Sequence, residues 1–345
     1  MVGDDGVPVL SPARRSYDER DVRVRAGRGS RPRTKDRPAH ADAVAGWVTG
    51  VDRGRYVVLH QDRPVVAMKA RELGRRSVVV GDRVALVGDV SGSPDALARI
   101  VRIEPRSSVL RRTADDTDPV ERMIVANADQ LVVVTALADP PPRPRMVDRC
   151  LVAAYDAGMD PLLVLTKADL ADAGPFLAAY AALDLPTVAT TLRGESAGAG
   201  VEAVRQRLAG RVSVLVGHSG VGKSTLVNQL VPGAGRATGS VNDVTGRGRH
   251  TSSSAVSLRL PGGGWVVDTP GVRSFGLAHV DLDRVVEHFP ELEPGTADCP
   301  RSCSHDEPEC GLDGYVASGA AGTSGPARLD SLRRLLRARA APSPD

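Results

Sequence analysis

A glycine-rich octapeptide carries the strongest chemical signal in this chain. Residues 217–224 read GHSGVGKS and follow an apolar run that ends at Val216. Phosphate oxygens need several backbone N–H donors at close range, which requires glycine where a side chain would obstruct. The pattern therefore predicts a phosphate-binding loop between a strand and a helix that begins near Gly222. Lys223 is predicted to reach the β- and γ-phosphates, and Ser224 to ligate Mg²⁺ through its hydroxyl.

A second motif begins at Asp268, which ends another apolar run and precedes Thr269, Pro270 and Gly271. A carboxylate at a strand tip near a phosphate loop can hold Mg²⁺, usually through water. Gly271 is predicted to place its N–H on the γ-phosphate and to let the next loop move. Downstream of a phosphate loop, this pattern is typical of a nucleotide-dependent switch.

The third motif is Thr166-Lys167-Ala168-Asp169, which also follows an apolar run. Guanine presents N1–H and N2–H₂ side by side, and one carboxylate can accept both. Adenine offers no such pair and would leave the carboxylate unpaired. Asp169 therefore predicts GTP rather than ATP. Such motifs usually begin with Asn, and the Thr166 hydroxyl can make some of that amide's bracing contacts but not all.

The order of the three motifs is unusual. In an ordinary GTPase the phosphate loop comes first and the base-reading motif stands near the end. Here the base-reading motif at 166–169 precedes the phosphate loop at 217–224, and the switch motif at 268–271 comes last. The order predicts a circularly permuted GTPase domain, whose switch leads into the C-terminal segment.

The segment 246–254, between the phosphate loop and Asp268, is basic and rich in hydroxyl groups. A GTPase needs a hydroxyl there to complete the Mg²⁺ shell, and Thr251 is the first candidate and Ser252 the second. The four residues that follow Gly271 include no glutamine to orient the attacking water. Slow intrinsic turnover is expected, with a catalytic group supplied from elsewhere.

Four ligands of the kind that Zn²⁺ prefers cluster near the C-terminus: Cys299, Cys303, His305 and Cys310. Zn²⁺ takes four such ligands in a tetrahedron, and a site with no open position is structural. The spacing is not that of a zinc finger, and reduced surface cysteines are the alternative. The remote Cys150 is predicted to be a core thiol.

The N-terminal residues 1–40 are rich in arginine and have almost no apolar periodicity, although the net charge of the chain is only +3. Such a stretch cannot bury enough surface to order itself. It is predicted to be a disordered basic arm that touches nucleic acid or, alternatively, a solvated tail without a partner. The chain shows no bilayer-length apolar run, signal peptide or disulfide framework. A monomeric cytoplasmic protein without a membrane partner is expected.

The pattern of apolar residues predicts a multidomain α/β protein. Five short β-branched runs over 41–112 indicate a small β-barrel, of the oligonucleotide/oligosaccharide-binding (OB) type or SH3-like. Continuous apolar runs alternate with helical stretches over 113–285, which predicts a doubly wound parallel sheet for the GTPase domain. Residues 286–345 form the predicted helical zinc-binding domain, with leucines at helical spacing over 327–340.

These motifs together resemble the RsgA (YjeQ) family of circularly permuted GTPases. The resemblance covers roughly residues 41–340 and includes Val125–Gln130, Gly248–Thr251 and Asp268–Arg273 beside the phosphate loop, the base-reading motif and the Cys/His cluster. It implies an OB barrel, a permuted GTPase and a zinc domain. It also implies late maturation of the small ribosomal subunit, with slow GTP hydrolysis that the subunit and its rRNA stimulate, in the manner of a checkpoint or release factor.

The resemblance places His250 in switch I, where its imidazole could orient or polarise water. The predicted catalytic residues are His250, Lys223 and Thr251. The segment around Thr190 and Thr191, which would close the base site, matches the family poorly. The predicted GTP-binding residues are Thr166, Lys167, Asp169, Gly217, His218, Ser219, Gly220, Val221, Gly222, Lys223, Ser224, Thr225, Asp268 and Gly271.

Two other function classes compete with a GTP-hydrolysing assembly factor. One is an RNA-binding adaptor in which the nucleotide only stabilises a shape. The other is a P-loop ATPase or kinase, against which Asp169 argues. Lys223, Ser224 and Asp268 favour turnover over the adaptor.

Overall fold

The computed structural model describes residues 40–52, 54–112, 122–194, 196–235, 255–269, 277 and 280–340. Residues 1–39 of the predicted basic arm lie outside these ranges. His250, Thr251, Ser252 and Gly271 lie outside them as well. The strands are Val44–Asp52 (β1), Arg55–His60 (β2), Arg63–Lys69 (β3), Arg83–Gly88 (β4), Ala98–Ile103 (β5), Val109–Arg112 (β6), Arg122–Ala126 (β7), Gln130–Ala136 (β8), Asp160–Thr166 (β9), Thr187–Ala189 (β10), Val212–Val216 (β11), Val256–Arg259 (β12) and Trp265–Asp268 (β13). The helices are Pro144–Asp156 (α1), Gly174–Ala178 (α2), Val201–Leu208 (α3), Lys223–Leu230 (α4), Leu282–Val286 (α5), Gly311–Ala317 (α6) and Gly325–Ala340 (α7).

The first five strands close into a barrel. Their order is β1-β2-β3-β5-β4, and β4 returns to pair with β1. The β3–β5 pairing is parallel and the others are antiparallel. Alternate residues such as Val48, Val58, Leu86 and Ile100 point inward and are fully buried, as the period of two in a half-buried strand requires. The predicted OB-type barrel is confirmed.

The central strands β10-β9-β8-β11-β13 form a parallel sheet, with β12 antiparallel at one side. Apolar residues cover both faces of this sheet. Leu131, Leu163 and Val214 lie in one buried cluster, whereas Val132 and Leu215 lie in another. Burial on both faces explains the continuous apolar runs in the sequence, and the predicted doubly wound sheet is confirmed.

Two arrangements were not predicted. Strands β6 and β7 form an antiparallel hairpin between the barrel and the GTPase sheet. Strand β12 pairs with β13 on one side and with β1 on the other, so the barrel and the GTPase strands share one eleven-stranded sheet. The strands pair across the predicted limit at residue 112, and the domain boundaries stay a prediction.

The C-terminal helices pack against the GTPase sheet. Leucines of α7, such as Leu332 and Leu335, are fully buried in the same cluster as Leu151 of α1. The side chain of Arg149 in α1 donates to the Ala338 carbonyl of α7 at 2.7 Å. None of the helices in the described ranges combines the length and apolarity that crossing a membrane requires.

Residues 125–130 join the barrel to the GTPase sheet. Asn127, at φ +54°, donates from its amide to the Gly81 carbonyl at 2.8 Å. Its amide oxygen accepts from the Ser107 N–H at 2.9 Å. Gly81 has φ +88°, and a Cβ atom there would lie 1.9 Å from the Ala126 carbonyl oxygen. The junction therefore requires glycine at this position.

Replacing Gly81 with Ala should lower the free energy of unfolding by about 2–4 kcal/mol, because backbone strain and a backbone collision add. Gly158→Ala is the matched control, since Gly158 has φ +65° and nothing lies within 4 Å of its added Cβ. The control substitution should lower the free energy of unfolding by about 1–2 kcal/mol. Urea denaturation measures the loss in each variant. Equal losses would contradict the proposed collision with the Ala126 carbonyl.

Candidate nucleotide and metal sites

The phosphate loop lies where β11 ends at Val216 and α4 begins at Lys223. Gly220 and Gly222 adopt φ +83° and +89°, which a side chain would disfavour. A Cβ atom at Gly217 would lie 2.5 Å from the Val134 carbonyl oxygen. The backbone therefore needs glycine at these three positions, as close approach to phosphate also does. Ser224 and Thr225 follow in the first turn of α4.

Lys223 and Asp268 meet across the phosphate loop. Asp268 ends β13, whose register sets it beside Leu215 of β11. The Lys223 ammonium donates to Asp268 Oδ1, and both side chains are largely buried. The neighbouring Thr269 hydroxyl donates to the Leu215 carbonyl at 3.0 Å, which holds the end of β13. The lysine predicted to bind phosphate and the carboxylate predicted to hold Mg²⁺ thus lie together.

Thr166 joins the base-reading motif to the phosphate loop. Its Oγ1 lies 2.5 Å from the Val221 carbonyl oxygen and 3.4 Å from that of Thr135. A hydroxyl has one proton to donate, and the shorter distance assigns it to Val221. The motif is therefore braced by one strong hydrogen bond, where an Asn amide would offer two N–H donors.

The rest of the base-reading motif lies at the same edge of the sheet. Lys167, at φ +57°, donates from its ammonium to the Asp139 carbonyl. The Ala168 N–H donates to the Thr190 carbonyl at 3.2 Å, so the poorly matched closing segment does lie beside the motif. Asp169 is exposed. Its carboxylate has no hydrogen bond or ion pair to the described residues, which leaves it accessible to a base.

The side chain of His218 in the phosphate loop is buried. One ring nitrogen, Nδ1, lies 2.9 Å from the Ser219 carbonyl oxygen and donates to it. Burial lowers the pKa of His218 below its ordinary value. The imidazole is therefore neutral at pH 7, and Lys223 and Lys167 supply the positive charge nearby.

The four predicted metal ligands come together. The ligand atoms of Cys299, Cys303, His305 and Cys310 all lie within 4.8 Å of one another. Cys299 Sγ is 3.6 Å from His305 Nδ1 and 3.8 Å from Cys310 Sγ. A tetrahedral Zn²⁺ ion would set such atoms about 3.6–3.8 Å apart. The donor set and its spacing fit Zn²⁺.

The protonation of this cluster also fits a cation. Burial lowers the pKa of His305, which favours the neutral imidazole that binds metal. Burial and the Glu307 carboxylate raise the pKa of Cys303 to about 12, and burial raises that of Cys310. A raised pKa favours the protonated thiol at neutral pH. These cysteines therefore need a bound cation to become thiolates.

Two residues that shape the metal loop were not predicted. Glu307 accepts from the Ser304 N–H at 2.9 Å and from the Cys303 thiol at 2.9 Å. Arg333 of α7 donates to the His305 carbonyl at 3.0 Å and forms a two-bond ion pair with Asp313. Glu307 lies between two of the metal ligands in the sequence, so its place in the metal loop could have been predicted. Arg333 is far from the ligands in the sequence, so its contact with the loop could not.

A family model described as RsgA GTPase matches residues 103–278. The chain belongs to the RsgA GTPase family. It is therefore a GTP-hydrolysing enzyme. It is 37% identical over 293 residues to the small ribosomal subunit biogenesis GTPase RsgA of Chlorobaculum parvum, covering 81% of this chain and 93% of that one. Its identity to the RsgA protein of Ectopseudomonas mendocina is 41% over 244 residues, 68% of each chain.

Two solved structures share the fold of this RsgA GTPase. YjeQ from Thermotoga maritima superposes with a TM-score of 0.59 and 25% identity, covering 87% of this chain and 99% of that one. YloQ, described as a circularly permuted GTPase, gives a TM-score of 0.60 at 20% identity, with coverages of 88% and 98%. The permuted order inferred from the three motifs is confirmed.

Replacing Thr166 with Val should weaken GDP binding about 5- to 30-fold, because the buried Val221 carbonyl loses its donor while the side-chain shape is kept. Titration with a fluorescent GDP derivative measures the affinity. Thr187→Val is the matched control, since its hydroxyl bonds the Leu185 carbonyl away from the phosphate loop. Equal affinities for the two variants would contradict the brace.

Proposed function

We propose that this RsgA GTPase couples GTP hydrolysis to late maturation of the small ribosomal subunit. One observation carries the nucleotide part: Thr166, Val221 and the Lys223–Asp268 pair bring all three motifs to one sheet edge. The names of the relatives, small ribosomal subunit biogenesis GTPase, support the partner. The proposed partner is the small subunit with its rRNA. The protein is proposed to bind it as a monomer in the cytoplasm.

The proposed roles follow from the chemistry of the groups. The backbone N–H groups of 217–224 bind the phosphates, and the Lys223 ammonium turns from Asp268 to them. The Asp169 carboxylate selects guanine. Ser224 and Asp268 would hold Mg²⁺, which neutralises phosphate charge when bound.

The attacking water needs a group to orient it. We assign its orientation to His250, and the switch hydroxyl to Thr251, on the family resemblance and the basic, hydroxyl-rich segment that contains both. Gly271 would donate its N–H to the γ-phosphate. Without a glutamine after Gly271, the intrinsic rate is low. The subunit raises this rate, so hydrolysis serves as a checkpoint for release.

The Cys/His cluster holds one structural Zn²⁺ in this proposal. The four ligand atoms leave no position open for water or substrate. The division into a basic arm (1–40), an OB barrel (41–112), a GTPase domain (113–285) and a zinc domain (286–345) completes the proposal. Arg333 and α7 tie the metal loop to the core that the GTPase domain shares.

Protein purified after zinc-replete expression should contain about one equivalent of zinc, because four soft ligands converge. Cys303→Ser should lose most of that zinc, as measured by atomic emission. Cys150→Ser is the control and should retain it, since Cys150 is buried in α1, apart from the cluster. Less than one equivalent in the unaltered protein would count against the site.

GTP turnover should rise with the small ribosomal subunit and not with the large subunit. His250→Ala should abolish this stimulation while leaving GDP affinity intact, because the imidazole acts on water. His40→Ala is the control, because His40 precedes β1 and pairs with Glu72 of the barrel. Stimulation retained by His250→Ala would remove His250 from the mechanism. Absence of turnover under all conditions would favour the RNA-binding adaptor.

A further inference from the structure

The two tryptophans of this chain lie against each other at the junction between the barrel and the GTPase sheet. Trp47 is on β1 and Trp265 is on β13, with ring centroids 4.4 Å apart and an interplanar angle of 60°. The Trp47 indole N–H donates to the Gly81 carbonyl at 3.0 Å, which fixes this ring in the barrel. Trp265 stands on the short strand that ends at Asp268.

The backbone connection at this junction is narrow. Within the described ranges, β1 and β12 share one register pair, Gly50 with Val256. Val256 is also the register partner of Asp268 in β13. On the barrel side, the same row continues from Gly50 to Val57 of β2. At about 4.8 Å per strand, the backbone of the exposed Val57 is only roughly 14 Å along this row from the backbone of Asp268.

Side chains strengthen this narrow pairing. Arg259 of β12 bonds Asp62 of the barrel at 2.9 Å, and its guanidinium lies 6.0 Å from the Trp265 ring centroid. Both charged side chains are well exposed, so water screens the ion pair and weakens it. The ring contact is partly shielded from water and depends on geometry. A shift of the barrel against β13 would therefore change this ring contact directly.

We propose that the Trp47–Trp265 contact couples ligand binding at the barrel to the nucleotide site. A shift of β1 moves Trp47, which displaces Trp265 and the strand that orients Asp268. Such linkage is reciprocal, so nucleotide must also change the surroundings of Trp47. The inference rests on the proposed function only in naming the barrel ligand, which is RNA of the small subunit.

The first test needs no ribosome. In Trp265→Phe, Trp47 is the sole tryptophan and an aromatic contact remains. Its emission should differ between GDP and a non-hydrolysable GTP analogue with Mg²⁺, although Trp47 belongs to the barrel. The matched variant Trp47→Phe leaves Trp265, which begins the strand that ends at Asp268, as a reporter of nucleotide binding to the GTPase sheet. An unchanged Trp47 emission, while Trp265 responds, would overturn the proposal.

The second test uses the subunit. Trp47→Ala should keep basal GTPase activity within about twofold of the unaltered protein, and it should still cosediment with small subunits. Its stimulation by the small subunit should fall at least about fivefold. Leu97→Ala, an exposed apolar residue elsewhere on the barrel, should keep both. Trp47→Phe should recover part of the stimulation if Trp47→Ala proves unstable.

Each outcome distinguishes the coupling from the proposed function. Stimulation of Trp47→Ala equal to that of Leu97→Ala would overturn the coupling. If the small subunit fails to stimulate even the unaltered protein, the proposed partner is wrong. The emission of Trp47 then still decides whether the contact senses nucleotide.

Discussion

The parallel pairing of β9, β8, β11 and β13 is the constraint on which the nucleotide site depends. Parallel strands end at the same edge, so Thr166, Val216 and Asp268 arrive together whatever their order along the chain. This explains why a circular permutation preserves the chemistry. The site requires a set of neighbouring strand ends, and the connections between them can be cut and rejoined elsewhere.

Permutation also determines what covers the sheet. The chain that follows β13 packs back against α1, and Phe289, Leu312 and Leu332 enter the same buried cluster as the sheet residues. Buried arginines reinforce this contact. Arg328 lies 4.6 Å from the Phe289 ring centroid and bonds Glu291. Arg333 of α7 also bonds the metal loop, so that loop is held by a helix that packs against the GTPase core.

Much of the fold was predictable because its signals are local. Runs such as those at β8 and β9 are apolar throughout, which identifies strands buried on both faces. The alternating runs of the barrel identified all five of its strands. Strand β12 was not predicted because only two of its four residues, Val256 and Leu258, are apolar. Its pairing with β1 depends on a distant strand.

The sequence by itself determined the chemistry that contiguous residues encode: glycines and Lys223 of the phosphate loop, Asp169 at a strand end, and the four metal ligands within one short segment. Only the tertiary structure decided the contacts between distant segments. The Thr166 hydroxyl selects the Val221 carbonyl, 55 residues away, and Val256 stands between Gly50 and Asp268. The reason is physical: local spacing fixes which groups a segment presents, whereas strand register and packing fix which groups meet.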